Sequence, residues 1–315
     1  MKNIAIYTCF TTLFFSFNAP AENCKSKPYN LETPEGYNHS KYAPSPTERF
    51  YDGKAFIASI DDKGDDDSSL PDGDEQGEYL VQPQWVSVHI KRYLDDAGQG
   101  TYAPGWTRPT WYKVDLFDEE RGAMDSSKRI DDSYKGVGRT WNRGHLAQRA
   151  DANRLGEEYG CNTHMFTNAF PQHAKFNQGI WLGLENYIGG LSNQVGELWV
   201  IAGPVFTVEP KLIGDAGEVP VAVPDMAFKV VIWEKTEGIE TLAFLFPNNY
   251  EDTAYLKGNC SSDKEYDYSN YYSSLAEIED LTGLKFLEGK SESYKQKKTH
   301  TMPYVKKEYR VGYCI

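Results

Sequence analysis

The chain is 315 residues long, 40% apolar, 14% aromatic and 25% charged, with a formal net charge of −13 at pH 7. Length and aromatic content together supply a sizeable core, which excludes bulk disorder and collagen-like, coiled-coil and multi-span membrane architectures. The acidic total argues against a surface that is basic throughout.

At the N-terminus, Lys2 precedes an apolar run from Ile4 to Phe17 that meets Ala19-Pro20-Ala21, a small-x-small cleavage pattern. This predicts a secretory signal over residues 1–21, because the run is shorter than the roughly 20 residues a membrane span needs. Its removal takes away Lys2 and no acid, moving the charge from −13 to −14. The expected product is periplasmic or secreted, with no membrane segment after cleavage. Cys9 leaves with the signal, and Cys24, Cys161, Cys260 and Cys314 remain. Four cysteines in an oxidising compartment predict two disulfides, with three connectivities open. Their spacing holds no CxxC pair, which argues against a zinc knuckle.

Residues 22–78 are rich in Pro, Ser, Asp and Gly and include the acidic run from Asp61 to Glu75. That composition predicts a partly disordered arm. The acids lack the alternation and central glycine of an EF-hand loop. A packed domain is expected over residues 79–288. Residues 84–90 alternate polar and apolar with period two, as a half-buried strand does. Residues 198–206, 227–233 and 241–247 read as further strands. Between them, Trp181, Leu184 and Ile188 fall at helical spacing, with Gly189-Gly190 as the expected stop and Asn177 before the helix or in its first turn. Residues 274–283 read as a capped helix ending at Gly283. A Lys-rich tail fills residues 289–315. The fold class is α+β, a mixed or antiparallel central sheet flanked by helices.

Two clusters carry chemistry. The first, Trp141-Asn142-Arg143-Gly144-His145, lies in a stretch that also holds Arg129, Arg139, Arg149 and Arg154. A locally basic segment in an acidic chain points to an anion site. His145 is its natural general base, since imidazole titrates near working pH; a lone histidine is more often structural. In the second, Asn177 and Glu185 are eight residues apart, about two helical turns, so they share one face. An amide oxygen and a carboxylate there suit a hard cation that keeps most of its waters, as magnesium does. The plainer alternatives are a helix cap for Asn177 and a solvated acid for Glu185.

Taken together, Asn142-Arg143-Gly144-His145, then Thr167-Asn168 through Pro171-Gln172, then Asn177 through Glu185 resemble the DNA/RNA non-specific endonuclease family, the endonuclease G-like nucleases. Ala202-Gly203-Pro204-Val205-Phe206 and residues 278–286 extend the resemblance across residues 79–288. It implies a ββα-metal catalytic motif and a magnesium-dependent endonuclease, with manganese as substitute, that cuts DNA and RNA with little sequence specificity; the N-terminal signal makes the expected enzyme an exported one. It also implies roles: His145 deprotonates the attacking water, Asn177 is the one direct protein ligand of the ion, and Glu185 steers metal-bound waters. Asn168 would position His145 or the phosphate, Arg143 would support the site, and an upstream arginine, Arg108, would meet the phosphate. Arg149 and Gln172 are expected against substrate.

One departure is Asn142, where the family most often has Asp. An amide lacks the charge that raises the basicity of a neighbouring imidazole, so reduced or shifted activity is expected. The alternative function is a catalytically weak or silent nuclease-like protein that binds nucleic acid. A glycosidase is a residual reading, since no carboxylate pair is marked out. A homodimer is compatible with the sequence, and the basic tail from Lys290 to Arg310 is expected to aid nucleic-acid binding. His39, His89, His164, His173 and His300 fall outside the predicted catalytic set.

Overall fold

The computed structural model describes residues 23–25, 28–47, 49–60, 82–107, 109–112, 133–215, 221–249, 255–257 and 265–312. The signal segment, the acidic run, Arg108, Arg129, Cys260 and Cys314 lie outside the described residues.

In chain order the main strands are β1 (Arg49–Asp52), β2 (Ile57–Ile60), β3 (Pro83–Lys91), β4 (Trp141–His145), β5 (Ala169–His173), β6 (Glu197–Val205), β7 (Lys211–Ile213), β8 (Val221–Val223), β9 (Met226–Lys235) and β10 (Gly238–Pro247). Six of them form one antiparallel sheet in the order β1-β2-β3-β6-β9-β10, while β4 and β5 pair separately. The helices used below are α1 (Arg149–Ala152), α2 (Glu157–Asn162), α3 (Leu182–Val195) and α4 (Leu275–Thr282). No helix among the described residues is long and apolar enough to cross a membrane.

The sheet is covered on both faces. Val86, Val88 and Ile90 on β3 pack with Val200, Val231 and the Leu184, Ile188 and Leu191 side of α3. Trp85, Trp199, Ile201 and Ile232 point the other way and pack with Ile278, Leu284 and Phe286 around α4. The strand expected at residues 84–90 is therefore present, but it is buried on both sides rather than half-buried. Its polar members, Ser87 and His89, suggested a solvent face; both are enclosed by the N-terminal segment. Ser87 Oγ donates to His39 O at 2.7 Å, and the His89 backbone N–H donates to His39 Nδ1 at 3.0 Å.

This corrects the N-terminal boundary. Residues 49–60, placed by composition in a loose arm, form the β1–β2 edge of the sheet, with Ala58 opposite Val86. The segment before them is tied down too: Cys24 is bonded to Cys161, and Tyr29 exchanges two backbone hydrogen bonds of 2.8 Å with the Asn162 amide. Composition missed this because the arm's polar groups find partners 48 to 133 residues away in sequence.

Helix ends follow local chemistry. Ser274 Oγ accepts from Glu277 N at 3.1 Å at the start of α4, and Gly283 closes it at φ 71°, as expected. In α3, by contrast, Gly189-Gly190 is no stop: the helix runs on to Val195 and ends at Gly196, φ 102°. The two glycines mark close packing, since a Cβ at Gly190 would lie 3.1 Å from Val305 Cγ1. The C-terminal segment that brings Val305 there is not a free basic tail. Lys295 is buried against Glu279 at 2.8 Å, and Asn193 Nδ2 donates to Tyr309 O at 3.0 Å. Only part of its charge, including Lys297, Lys298, Lys306 and Lys307, stays exposed.

Candidate active site

Strands β4 and β5 run antiparallel, with His145 opposite Ala169 and Asn142 opposite Gln172. The chain leaves β5, makes one short helical turn, then a wide π-type turn over Asn177–Trp181, and enters α3. Gly179 has non-helical angles inside that turn, φ −107° and ψ −113°. Such single wide turns recur at functional sites because they re-aim side chains relative to the following helix. Here the turn sets Asn177 and Gln178 beside β4, and Trp181 Nε1 donates to His145 O at 3.3 Å, tying helix to strand. The result is a ββα unit on one face of the main sheet.

A cleft of about 550 Å³ opens over this unit, and His145, His164, Asn177, Gln178, Glu185 and Arg149 all line it. Trp106 and the exposed Tyr102 and Leu182 add apolar surface to its walls. The imidazole of His145 is held among rings: Trp111 lies 4.7 Å away and His164 4.7 Å away at 82°. His164, expected outside the catalytic set, carries no local signal, because its place against His145 depends on the fold.

Glu185 lies one turn into α3 and is almost wholly enclosed. Burial pushes its carboxyl up to about 7, against the opposing pull of Lys229. Lys229 Nζ is 3.4 Å from Glu185 Oε1 and 3.8 Å from the centroid of the Trp181 ring. Burial drives the Lys229 ammonium below its usual range. Nearby Asp151 is raised by burial and paired with Arg154 at 3.3 Å. Two buried acids and two buried cations thus sit beneath the cleft. Lys229 and Asp151 were missed by sequence reasoning, although Lys229 stands out as one charge inside the apolar strand Ala227-Phe228-Lys229-Val230-Val231.

The remaining expected residues divide. Arg149, the first residue of α1, lines the cleft and donates from its guanidinium to Trp106 O. Arg143 does not line it; its guanidinium lies 5.0 Å over the Tyr134 ring. Gln172 is fully buried and packed against Gly144, so it is a core residue rather than a substrate contact. The reason is packing: residues 169–172 of β5 are buried on both faces. Asn168 is also fully buried, and its amide is spent on backbone. Oδ1 accepts from Ala147 N at 2.8 Å, and Nδ2 donates to Ala147 O at 2.9 Å and Thr163 O at 3.0 Å. It fixes the segment following His145 and does not reach a phosphate.

Asn142 also departs from expectation. Its side chain engages Gly138, Asn177 and Gln178, so any influence on cleavage passes through the amides at 177 and 178 rather than through the imidazole.

The donors suit a hard cation. No group of three His, Cys, Asp or Glu side chains able to hold a metal ion occurs among the described residues. Asn177 and Glu185 line one cleft and supply an amide oxygen and a carboxylate. Both are hard oxygen donors, the kind that a hard cation accepts.

A model of the DNA/RNA non-specific endonuclease family matches residues 77–293. The mitochondrial nuclease EXOG of Homo sapiens is 29% identical over 219 residues, 65% of this chain and 52% of that protein. A nuclease of Nostoc sp. is 32% identical over 158 residues, 49% and 52% of the two chains. The mitochondrial endonuclease G of Bos taurus is 31% identical over 146 residues, 44% and 48%. The chain spans about half the length of these curated relatives. In the crystal structure of the EndoG/EndoGI complex, one chain matches with a TM-score of 0.52 at 18% identity, over 78% of this chain and 88% of its own. The shared α+β fold is thereby established.

Proposed function

The chain belongs to the DNA/RNA non-specific endonuclease family, and from that premise we propose that it is an exported, magnesium-dependent endonuclease hydrolysing phosphodiester bonds of DNA and RNA with little sequence preference. The observation that carries this reading is the meeting of His145, Asn177 and Glu185 in one cleft on a ββα unit.

Each group has a distinct task. His145 takes a proton from the attacking water. Its ring is set for this by Trp111 and His164, while Trp181 holds the His145 carbonyl and Asn168 holds the backbone of Ala147 just after it. Asn177 would hold the cation and Glu185 would order its waters; the ion's chemistry when bound is to neutralise charge gained by the phosphate oxygens and the departing oxygen. Arg149, at the start of α1, lines the same cleft and would meet the phosphate there. Low sequence preference follows from the kind of groups present, which address phosphate and metal rather than base edges. Positive charge is local in an acidic protein, so cleavage should weaken steeply with salt.

The test is digestion of supercoiled plasmid and of RNA by the oxidised protein, with magnesium and with excess chelator. Magnesium-dependent loss of both substrates is expected. A folded protein that binds both and cuts neither would favour the silent binding module instead.

A further inference from the structure

One oxygen of Asn142 serves two amides. Oδ1 accepts from Asn177 Nδ2 at 3.1 Å and from Gln178 Nε2 at 2.9 Å, while its own Nδ2 donates to Gly138 O at 3.0 Å. That last bond ties down the turn before β4, where Thr140 N and Trp141 N both donate to Val137 O. Asn142 is thus polarised by its surroundings: donor toward the turn, acceptor toward the wide turn that opens α3.

An amide side chain can offer a cleft either its oxygen or its nitrogen, and only the oxygen can face a cation. With the nitrogens of Asn177 and Gln178 both held on Asn142, their carbonyl oxygens are the atoms left for the cleft that both residues line. We propose that Asn142 is a positioning residue of the cation site, which locks two neighbouring amides with oxygen toward the cleft: that of Asn177 for the ion and that of Gln178 for the waters the ion keeps. Turning either amide over breaks its bond to Asn142 and puts N–H groups where the cation and its waters must sit. The wide turn matters here, since residues 177 and 178 are adjacent in it and one acceptor on β4 reaches both. The inference rests on the reading of Asn177 as the ion's ligand.

The same geometry says what the amide at position 142 does that a carboxylate does not. An aspartate still accepts from both amides and adds negative charge near the ion, but it cannot donate to Gly138. The two roles of Asn142, holding the turn and orienting the amides, can therefore be separated by substitution.

The experiment is calorimetric titration of the full, oxidised chain with Mn2+ alone, without nucleic acid, for wild type, Asn142→Ala, Asn142→Asp and Gln178→Ala, with thermal melts alongside. Asn142→Ala is expected to weaken Mn2+ binding about tenfold or more, as loss of a residue that orients a metal ligand does. Asn142→Asp is expected to bind at least as tightly as wild type, although it also loses the Gly138 bond. Gln178→Ala, at an exposed position, is expected to bind more weakly. Unchanged affinity in Asn142→Ala would overturn the proposal, as would equal weakening in the Ala and Asp variants, which would assign Asn142 to the turn alone. Should the Ala variant not fold, unchanged affinity in Gln178→Ala overturns the paired-oxygen site on its own. Wild-type binding that Asn177→Ala leaves intact would instead remove the cation site itself, a failure distinct from one confined to the Asn142 variants.

Discussion

Replacing Lys229 by Met leaves a side chain of similar length beneath the cleft and takes away the ammonium 3.4 Å from Glu185. Glu185 is already held at about 7 by burial, from an ordinary value of 4.5. At about 1.4 kcal/mol per pH unit, that shift means the wild-type carboxylate costs roughly 3 kcal/mol of stability once ionised. The sign follows from proton binding. A carboxyl raised in the folded state favours folding below pH 4.5, and that advantage is lost as pH rises through 7. Without Lys229 the folded value climbs further and the loss continues to higher pH. Removing one partner of a buried pair costs about 3–5 kcal/mol, and here the cost should be that large near pH 8.5. Near pH 5.5 the carboxyl is protonated, and what remains is the lost contact with Trp181, about 1 kcal/mol. Urea denaturation of both proteins at the two pH values measures the difference. Adding Glu185→Gln to Lys229→Met should return the chain to within about 1 kcal/mol of wild type at both. A Lys229→Met penalty of equal size at pH 5.5 and 8.5 would refute the reasoning.

Two further outcomes follow from the same structure. Because Glu185 must lose a proton near pH 7 before its carboxylate can order the ion's waters, Mn2+ affinity should rise about tenfold between pH 6 and pH 8; a flat profile in calorimetric titration would take Glu185 out of the cation site. The Cys24–Cys161 bridge closes a span of 137 residues, so Cys24→Ser should lose about 2–5 kcal/mol in non-reducing urea denaturation, and an unchanged midpoint would show that the arm contributes nothing to stability.

How far the sequence was legible depended on the range of the interactions involved. The four long strands and the cap at Ser274 are written in local alternation and local hydrogen bonding, and they stand within a few residues of expectation. His145, Asn177 and Glu185, which line one cleft, were marked out by motif blocks rather than by nearness in sequence, since 32 residues separate the first two and 8 the last two. What failed was long-range. The segment carrying His39 and the β1–β2 edge looks like solvated arm until His89 and Ser87 are seen to bond with it. Gln172 and Arg143 belong to the motif, but packing, invisible locally, turns one into the core and lays the other on Tyr134. His164 is nineteen residues from His145 in sequence and meets its ring only through the fold. Lys229 was readable in principle, since a lysine within a buried strand requires a partner, and that partner is Glu185.

The central claim, that the cleft over the ββα unit is where phosphodiester bonds are cut, is tested most directly by the cleavage rate of His145→Ala. Wild type and variant with matching melting temperatures are compared on supercoiled plasmid and RNA at saturating magnesium. Loss of the general base should lower the rate about 100-fold to 10,000-fold on both substrates. A folded variant that cuts either one at the wild-type rate would contradict the account and place the chemistry elsewhere on the chain.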